Sequence, residues 1–205
     1  LKAIKPFIRI GYKELTQDKS AFNSAMSYTL KRAVTGSGKE IKIDFDRALV
    51  SMGTLMPIFE GAATVSNHQM TFNWKDNSGM GNAERTDIAM VLVYNKDREA
   101  AVYDTEAALR SDCHAGLQLP EDWQDDELVA YLSFCSTDGN CVANSICLPI
   151  SVIEIPEEEI DVQTESIDTT HKRILPDKRT VHQSRITVHS LSAPPNEIRT
   201  YRCET

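Results

Sequence analysis

The spacing of apolar residues changes its period along the chain, and the changes mark out the elements. Between residues 18 and 35, Phe22, Met26, Leu30 and Ala33 recur at helical spacing, flanked by Ala25 and Val34. Asp18 or Ser20 can cap the start of this helix, and Gly36 can end it. Lys31 and Arg32 fall in its last turn, where the helix dipole favours cations. The Phe and Met stripe reads as core packing rather than as a binding groove. Ahead of it, residues 1–15 mix apolar and basic positions around Pro6 and Gly11. Pro6 suits the first turn of a short helix, the expectation here, although Ile8-Arg9-Ile10 alternates as a strand would.

The period then drops to two. Ile41, Ile43 and Phe45 alternate with Lys42, Asp44 and Asp46, the pattern of a half-buried strand. Residues 51–61, with Gly53, Pro57 and Gly61, read as a linker. Beyond it, strands follow at short intervals. Met70, Phe72 and Trp74 form one inward face, and Asp76-Asn77-Ser78-Gly79 turns the chain. Ile88 to Tyr94 is continuously apolar, as in a central strand. Asn95-Lys96-Asp97 turns the chain again into Ala100 to Tyr103, and Leu117 and Leu119 mark another strand. A pair over 128–135 and 141–153 completes the set. Its inward residues are expected to be Ala130, Leu132 and Phe134, then Val142, Asn144, Ile146 and Leu148. Tyr131, Cys135, Cys141 and Cys147 are expected on the opposite face. Roughly six or seven short strands with turns between them suggest a mainly β chain built as an immunoglobulin or fibronectin III-like β-sandwich. The expected organisation is an N-terminal helix and strand region (1–60), the sandwich (61–155) and an extended C-terminal arm (156–205).

The arm differs in composition. It is rich in charged and hydroxyl residues, and its apolar positions, such as Ile160, Val162, Ile174 and Leu175, are sparse. Such a segment could hardly build a core of its own, so it needs a scaffold to lean on. Arg185-Ile186-Thr187-Val188-His189 has the alternation of a strand that could add to an exposed sheet edge, its own or a neighbour's.

Cysteine spacing bears on the compartment. The five cysteines are Cys113, Cys135, Cys141, Cys147 and Cys203, and none of them makes a C-x-x-C pair. Cys135-Ser-Thr-Asp-Gly-Asn-Cys141 reads as a tight hairpin. A three-residue loop Thr137-Asp138-Gly139, with Gly in the left-handed position, would set Cys135 opposite Cys141 and close enough for a disulfide. A two-residue Asp-Gly loop would put the pair on opposite faces. Partners for Cys147 among Cys113 and Cys203 stay open. The bridge reading places the protein outside the cell or on its surface, the periplasm included. A chain that begins at Leu1, with neither Met nor a signal peptide, reads as processed or truncated.

Charge narrows the partners. A pI near 5.1 and a net charge of -8 argue against nucleic acid. No apolar run approaches the roughly 20 residues of a membrane span. Aromatic residues make up only 7% of the chain, too few for a large carbohydrate-stacking platform.

Two stretches carry a resemblance. One is Pro6-Phe-Ile-Arg-Ile-Gly-Tyr12 followed by Ser20 to Tyr28, Leu30 to Gly36 and Ile41 to Ser51. The other is Phe72-Asn-Trp-Lys-Asp-Asn-Ser-Gly79 with Gly81-Asn-Ala83, Asp87 and Val91 to Asn95. In this order they resemble an uncharacterised family of roughly 200-residue proteins from Bacteroidetes, over about residues 1 to 150. The hairpin cysteines and the tail after residue 155 depart from that pattern. The resemblance implies no activity and no catalytic residues.

Candidate chemistry is thin. Asp112-Cys113-His114 is the sole Cys-His neighbour pair, and adjacent strand residues face opposite ways, so it makes a poor dyad. The five histidines have no zinc-type spacing. Glu121-Asp-Trp-Gln-Asp-Asp-Glu127 is densely acidic but matches no calcium loop and reads as a solvated turn. Asp76-Asn77-Ser78-Gly79 reads as a turn first. No enzyme, cofactor or metal is expected. The expected function is that of a structural or interaction protein, self-assembling by strand addition through the arm, with other copies of itself or a surface protein as partner. The alternative is a monomeric extracellular module that binds a glycan or calcium through loops 76–86 and 120–127.

Overall fold

The computed structural model describes residues Leu1–Ile153 and Thr200–Tyr201. Its helices are α1 (Lys5–Gly11) and α2 (Ala21–Arg32). Its strands are β1 (Val34–Thr35), β2 (Lys42–Ile43), β3 (Gly61–Ser66), β4 (Gln69–Trp74), β5 (Ile88–Asn95), β6 (Ala100–Leu109), β7 (His114–Gln118), β8 (Leu128–Cys135), β9 (Ile146–Leu148), β10 (Ile150–Val152) and β11 (Thr200–Tyr201). The chain is mainly β, as its alternating patterns predict.

Two sheets carry the architecture. One has the order β10-β3-β4-β7, the other β11-β6-β5-β8-β9. A first core fills the space they share. Ala63, Met70, Phe72 and Trp74 come from the four-stranded sheet, and Val91, Val93, Ala130, Leu132 and Phe134 from the five-stranded one. A second core lies on the other side of the five-stranded sheet. There Phe7, Ile8 and Tyr12 of the N-terminal region pack on Met90, Leu92, Tyr103, Val129 and Tyr131. The continuous apolar run from Ile88 to Tyr94 follows from this layering: alternate residues of β5 feed alternate cores, so both faces must be apolar. Each large side chain so buried contributes about 1.5–3 kcal/mol.

The N-terminal layer is therefore joined to the sheets rather than set apart from them. α1 forms with Pro6 in its first turn. Gly11 ends it against the following segment, where a Cβ would lie 2.5 Å from the Val50 carbonyl oxygen. The Tyr12 hydroxyl donates to Leu49 O at 3.0 Å. Glu14 holds two more segments: its carboxylate accepts from the Thr54 N–H and hydroxyl and from Val142 N–H at 2.7 Å. Residues 51–60 form no helix and no named strand, and Gly61 already begins β3, yet the segment is stitched in rather than free. The Ser51 hydroxyl lies 2.6 Å from Ser133 Oγ and 2.8 Å from Ala143 O, within hydrogen-bond reach of both, and Leu55 and Ile58 are buried.

The helix at 21–32 occurs where the spacing predicts it, capped by Ser20, which accepts from Asn23 N–H at 3.2 Å. Its buried stripe is shifted by one position. Ala21, Ala25 and Thr29 face inward, Phe22 and Met26 are half-buried, and Leu30 is 62% exposed. Small residues let the helix approach closely, and the larger apolar ones are displaced to its flank. The alternation at 41–45 also reads differently in three dimensions. β2 covers only Lys42–Ile43, pairs with the equally short β1, and leaves Ile41 60% and Ile43 48% exposed.

The final predicted strand, 141–153, is broken. Pro149 separates β9, which pairs with β8, from β10, which crosses to the other sheet and runs parallel to β3. Proline lacks a ladder donor, so it falls where the chain changes sheets. The turn between β3 and β4 is Asn67-His68, with φ of 45° and 58°, the two-residue hairpin geometry in which both central residues take positive φ.

Candidate functional site

The Cys135–Cys141 hairpin is the first predicted site. Gly139 takes the expected left-handed conformation, with φ of 68°. The loop, however, holds four residues. Ser136 N–H donates to Cys141 O at 2.9 Å and Ala143 N–H to Phe134 O at 2.8 Å, so Cys135 stands opposite Val142. One residue of register sends a side chain to the other face. Cys135 and Val142 accordingly lie in the outer core, and Cys141 packs against the core between the sheets. Cys113, Cys135, Cys141 and Cys147 are all free thiols, which corrects the expected bridge. The same register moves Val142 off the inward list, Ala143 takes its place, and Asn144 is exposed. The loop is closed by polar contacts instead. Asp138 accepts from the Ser136 hydroxyl and from Asn140, which hold its carboxyl below the usual range.

Burial pushes the Cys147 thiol up to about 12, with a hydrogen bond to Asp46 adding to the effect. Burial likewise raises Cys135. Neither is placed to act as a thiolate nucleophile near neutral pH. Cys113 sits in the left-handed region at φ 61°, in the corner between β6 and β7, and the neighbouring His114 Nδ1 bonds Asp112 O at 2.8 Å. These contacts make a turn, not a dyad.

The acidic loop at 121–127 is a salt-bridged corner. Arg98 pairs with Asp122 and Asp126, and Lys96 with Glu127. Asn95 Nδ2 donates to Asp126 at 2.7 Å, and this bond, then Arg98, holds the Asp126 carboxyl low. Three of its five carboxylates, Asp122, Asp126 and Glu127, face protein cations from the β5–β6 turn, which leaves them poorly arranged for calcium. Among the described residues no group of three or more His, Cys, Asp or Glu could hold a metal ion. Asp76 accepts from Ser78 N–H at 2.9 Å, the side-chain turn that its sequence predicts.

Sequence reasoning missed a buried ionic cluster. Arg110 is wholly buried, with Nε 3.0 Å from Asp87, one amino group 2.7 Å from Asn77 Oδ1 and the other 2.9 Å from Met56 O. Its guanidinium lies 4.0 Å from the centroid of Phe134, and its carbonyl accepts from the Trp74 indole at 2.8 Å. Burial pulls the guanidinium below its ordinary value, and the Asp87 carboxylate opposes that pull. Every donor points into protein, so the cluster locks the loop 76–87 onto the corner after β6. A lone Arg in a polar stretch gives no sign of this; the partners are 23, 33 and 54 residues away.

Two features remain open to a partner. At one end of the sheets, a cleft of about 460 Å³ lies between the Asn67-His68 turn, the 119–128 loop and β10. Val65, Leu119, Trp123 and Leu128 line it, together with Ser66, whose buried hydroxyl has no hydrogen-bond partner among the described residues. The second is the outer face of the four-stranded sheet. Ala62, Asn73 and His114 form one cross-strand row, Thr64, Thr71 and Gly116 the next, and Ser66, Gln69 and Gln118 the third, with Ser151 beside Thr64. β7 forms an edge of this sheet, and among the described residues nothing pairs with its outer side. The edge strand of the other sheet, β6, receives β11 antiparallel, Thr200 opposite Val102 and Tyr201 opposite Ala101. The predicted assembly strand, Arg185, Ile186, Thr187, Val188 and His189, lies outside the described residues.

No helix among the described residues is long and apolar enough to cross a membrane. Searches of curated proteins and of solved structures found no match to the chain. A protein-family comparison matches residues 1–149, nearly all of the layered structure described above, and on that match the chain belongs to the family of unknown function DUF6266.

Proposed function

We propose that this protein is a non-enzymatic, exported structural or interaction protein that assembles by adding a strand of its C-terminal segment to a sheet edge. The carrying observation is the pairing of β11 with the outer side of β6: a C-terminal strand already uses an edge of the sheets. Edges expose rows of unpaired N–H and C=O groups and invite such additions. The same edge on a second copy offers the same ladder. An immunoglobulin or fibronectin III-like sandwich and a Bacteroidetes source belong to this proposal. The strand order supports the former. Lettered from β3, the first sheet holds strands A, B and E and the second C′, C, F and G, with β6 as C′. Size-exclusion chromatography of the full chain and of a chain ending at Glu154 tests the reading. Larger species are expected for the full chain alone; equal monomer populations would overturn it.

The cleft beside Trp123 favours a second reading, a monomeric binding module. Its volume suits a small ligand, and the lone Ser66 hydroxyl would accept or donate one hydrogen bond. The loop ion pairs weigh against calcium. A glycan array, followed by calorimetric titration of any hit into wild type and Ser66→Ala, decides this reading; equal binding to both variants removes the cleft from it.

A further inference from the structure

We infer that the exposed face of the N-terminal layer, formed by α1, α2 and the β1–β2 pair, docks the protein on an anionic lipid surface. The chain is divided by charge. Residues 1–47 hold ten Lys and Arg against five Asp and Glu, whereas residues 48–153 hold five against fifteen. The cations of the two regions are also used differently. Lys75, Arg85, Lys96, Arg98 and Arg110, all those between 48 and 153, each pair with a carboxylate. In residues 1–47, Arg47 alone among the described side chains does so. The N-terminal layer therefore presents positive charge that its own described carboxylates do not neutralise, on a chain whose net charge is -8. Such a field turns that layer toward an anionic surface.

The fold displays these cations outward. Phe7 and Ile8 turn into the outer core, which leaves Lys5 and Arg9, four residues apart on α1, on its exposed face. Lys19, Lys31 and Arg32 line one open groove of about 600 Å³ beside α2. Asp18 and Glu14 line it too, but the Glu14 carboxylate is held by Thr54 and Val142, so cations prevail there.

Charge alone would suit any polyanion; the aliphatic residues select lipid. Leu30, next to Lys31, is exposed on α2. The β1–β2 pair continues from the end of that helix, where Asp44 N–H donates to Ala33 O at 2.7 Å. Its Ile41 and Ile43 flank Lys42, and all three are exposed. Large aliphatic side chains set among cations suit the boundary of a bilayer, where the apolar groups enter the acyl region and the cations meet headgroup phosphates. A nucleic acid or an acidic peptide would engage the cations and leave the isoleucines in water. Each cation at such a surface strengthens binding by about fivefold, and the attraction is screened as salt rises. The contact is peripheral and reversible, and it is distinct from strand addition by the arm.

Co-sedimentation of the full chain with lipid vesicles tests this, one set of phosphatidylcholine alone and one of equal parts phosphatidylcholine and phosphatidylglycerol. Binding is expected to the anionic set only, and to weaken at high salt. Lys31→Glu with Arg32→Glu is expected to weaken it by about tenfold or more, and Ile41→Ser with Ile43→Ser by severalfold. Circular dichroism and thermal melting check that these surface variants fold; Lys19→Glu with Lys42→Glu serves if the helix end does not tolerate the reversal. Lys75→Glu with Arg85→Glu, which reverses as much charge on the sheets, is expected to leave binding nearly unchanged. No binding, equal binding to both vesicle sets, or an equal loss in the sheet variant overturns the proposal. Anionic binding that the isoleucine variant leaves unchanged also overturns it, and retention of that variant on polyglutamate would assign the face to a soluble polyanion.

Discussion

At the scale of single residues, burial decides which polar groups matter. Arg110 is the extreme case, a charge held inside the protein by Asp87, Asn77 and the Met56 carbonyl. Removing one member of a buried pair strands the other, a loss of about 3–5 kcal/mol. Arg110→Ala is expected to destabilise on that scale in urea unfolding, and Asp87→Asn to approach it; a variant as stable as wild type would show that the pair is dispensable. The thiols give a second test. Cys147 is raised by burial to about 12, above the ordinary thiol value of 9.0. A raised acid favours the neutral thiol in the folded state, so its stabilising contribution is complete below pH 9.0 and is lost as pH rises toward 12. At pH 8, iodoacetamide is expected to modify Cys135 and Cys147 in the folded protein far more slowly than in urea, read by peptide mass spectrometry. Without reductant, all four described cysteines are expected to carry the label once the chain is unfolded.

At the scale of elements, local chemistry wrote the ends and packing chose the faces. Ser20 could be named as a cap because an exposed N–H at a helix start needs an acceptor nearby in sequence. Ser20→Ala is expected to cost about 1 kcal/mol, measured by thermal melting. The buried stripe of α2 was not legible in the same way. Phe22, Met26 and Leu30 have the right period, yet period alone leaves the phase free, and Ala21, Ala25 and Thr29 won because a close approach to α1 excludes bulk. Glu14 was equally silent in sequence. Its carboxylate meets Thr54 and Val142, segments 40 and 128 residues away. Hydrogen bonds to charged groups contribute about 1.5–3 kcal/mol, so Glu14→Ala is expected to loosen both segments and raise hydrogen exchange at the Thr54 and Val142 amides. The hairpin failed as a disulfide for a related reason: Gly139 set the turn's handedness, while one extra loop residue set the register.

At the scale of the whole molecule, three layers share two cores, and the middle sheet belongs to both. The helical layer and the sheets are expected to unfold together in one transition. Phe7→Ala, at the centre of the outer core, is expected to cost about 3–5 kcal/mol and to shift circular dichroism and tryptophan fluorescence midpoints equally, although Trp74 and Trp123 both lie in the other core. Separate midpoints would mean that the layers are independent. The layering also shows how far patterns reach. Alternation at 70–74, the unbroken apolar run at 88–94 and the turns at 76–79 and 95–97 were readable because strand period and turn chemistry act over a few residues. From them the sequence by itself determined a mainly β chain, its helix positions and its principal strands. Only the tertiary structure decided which sheet each strand joined, that Pro149 passes the chain between sheets, and that the presumed linker at 51–61 is stitched in place. Those outcomes rest on contacts between residues tens of positions apart, whose energies depend on distance in space and leave no period along the chain.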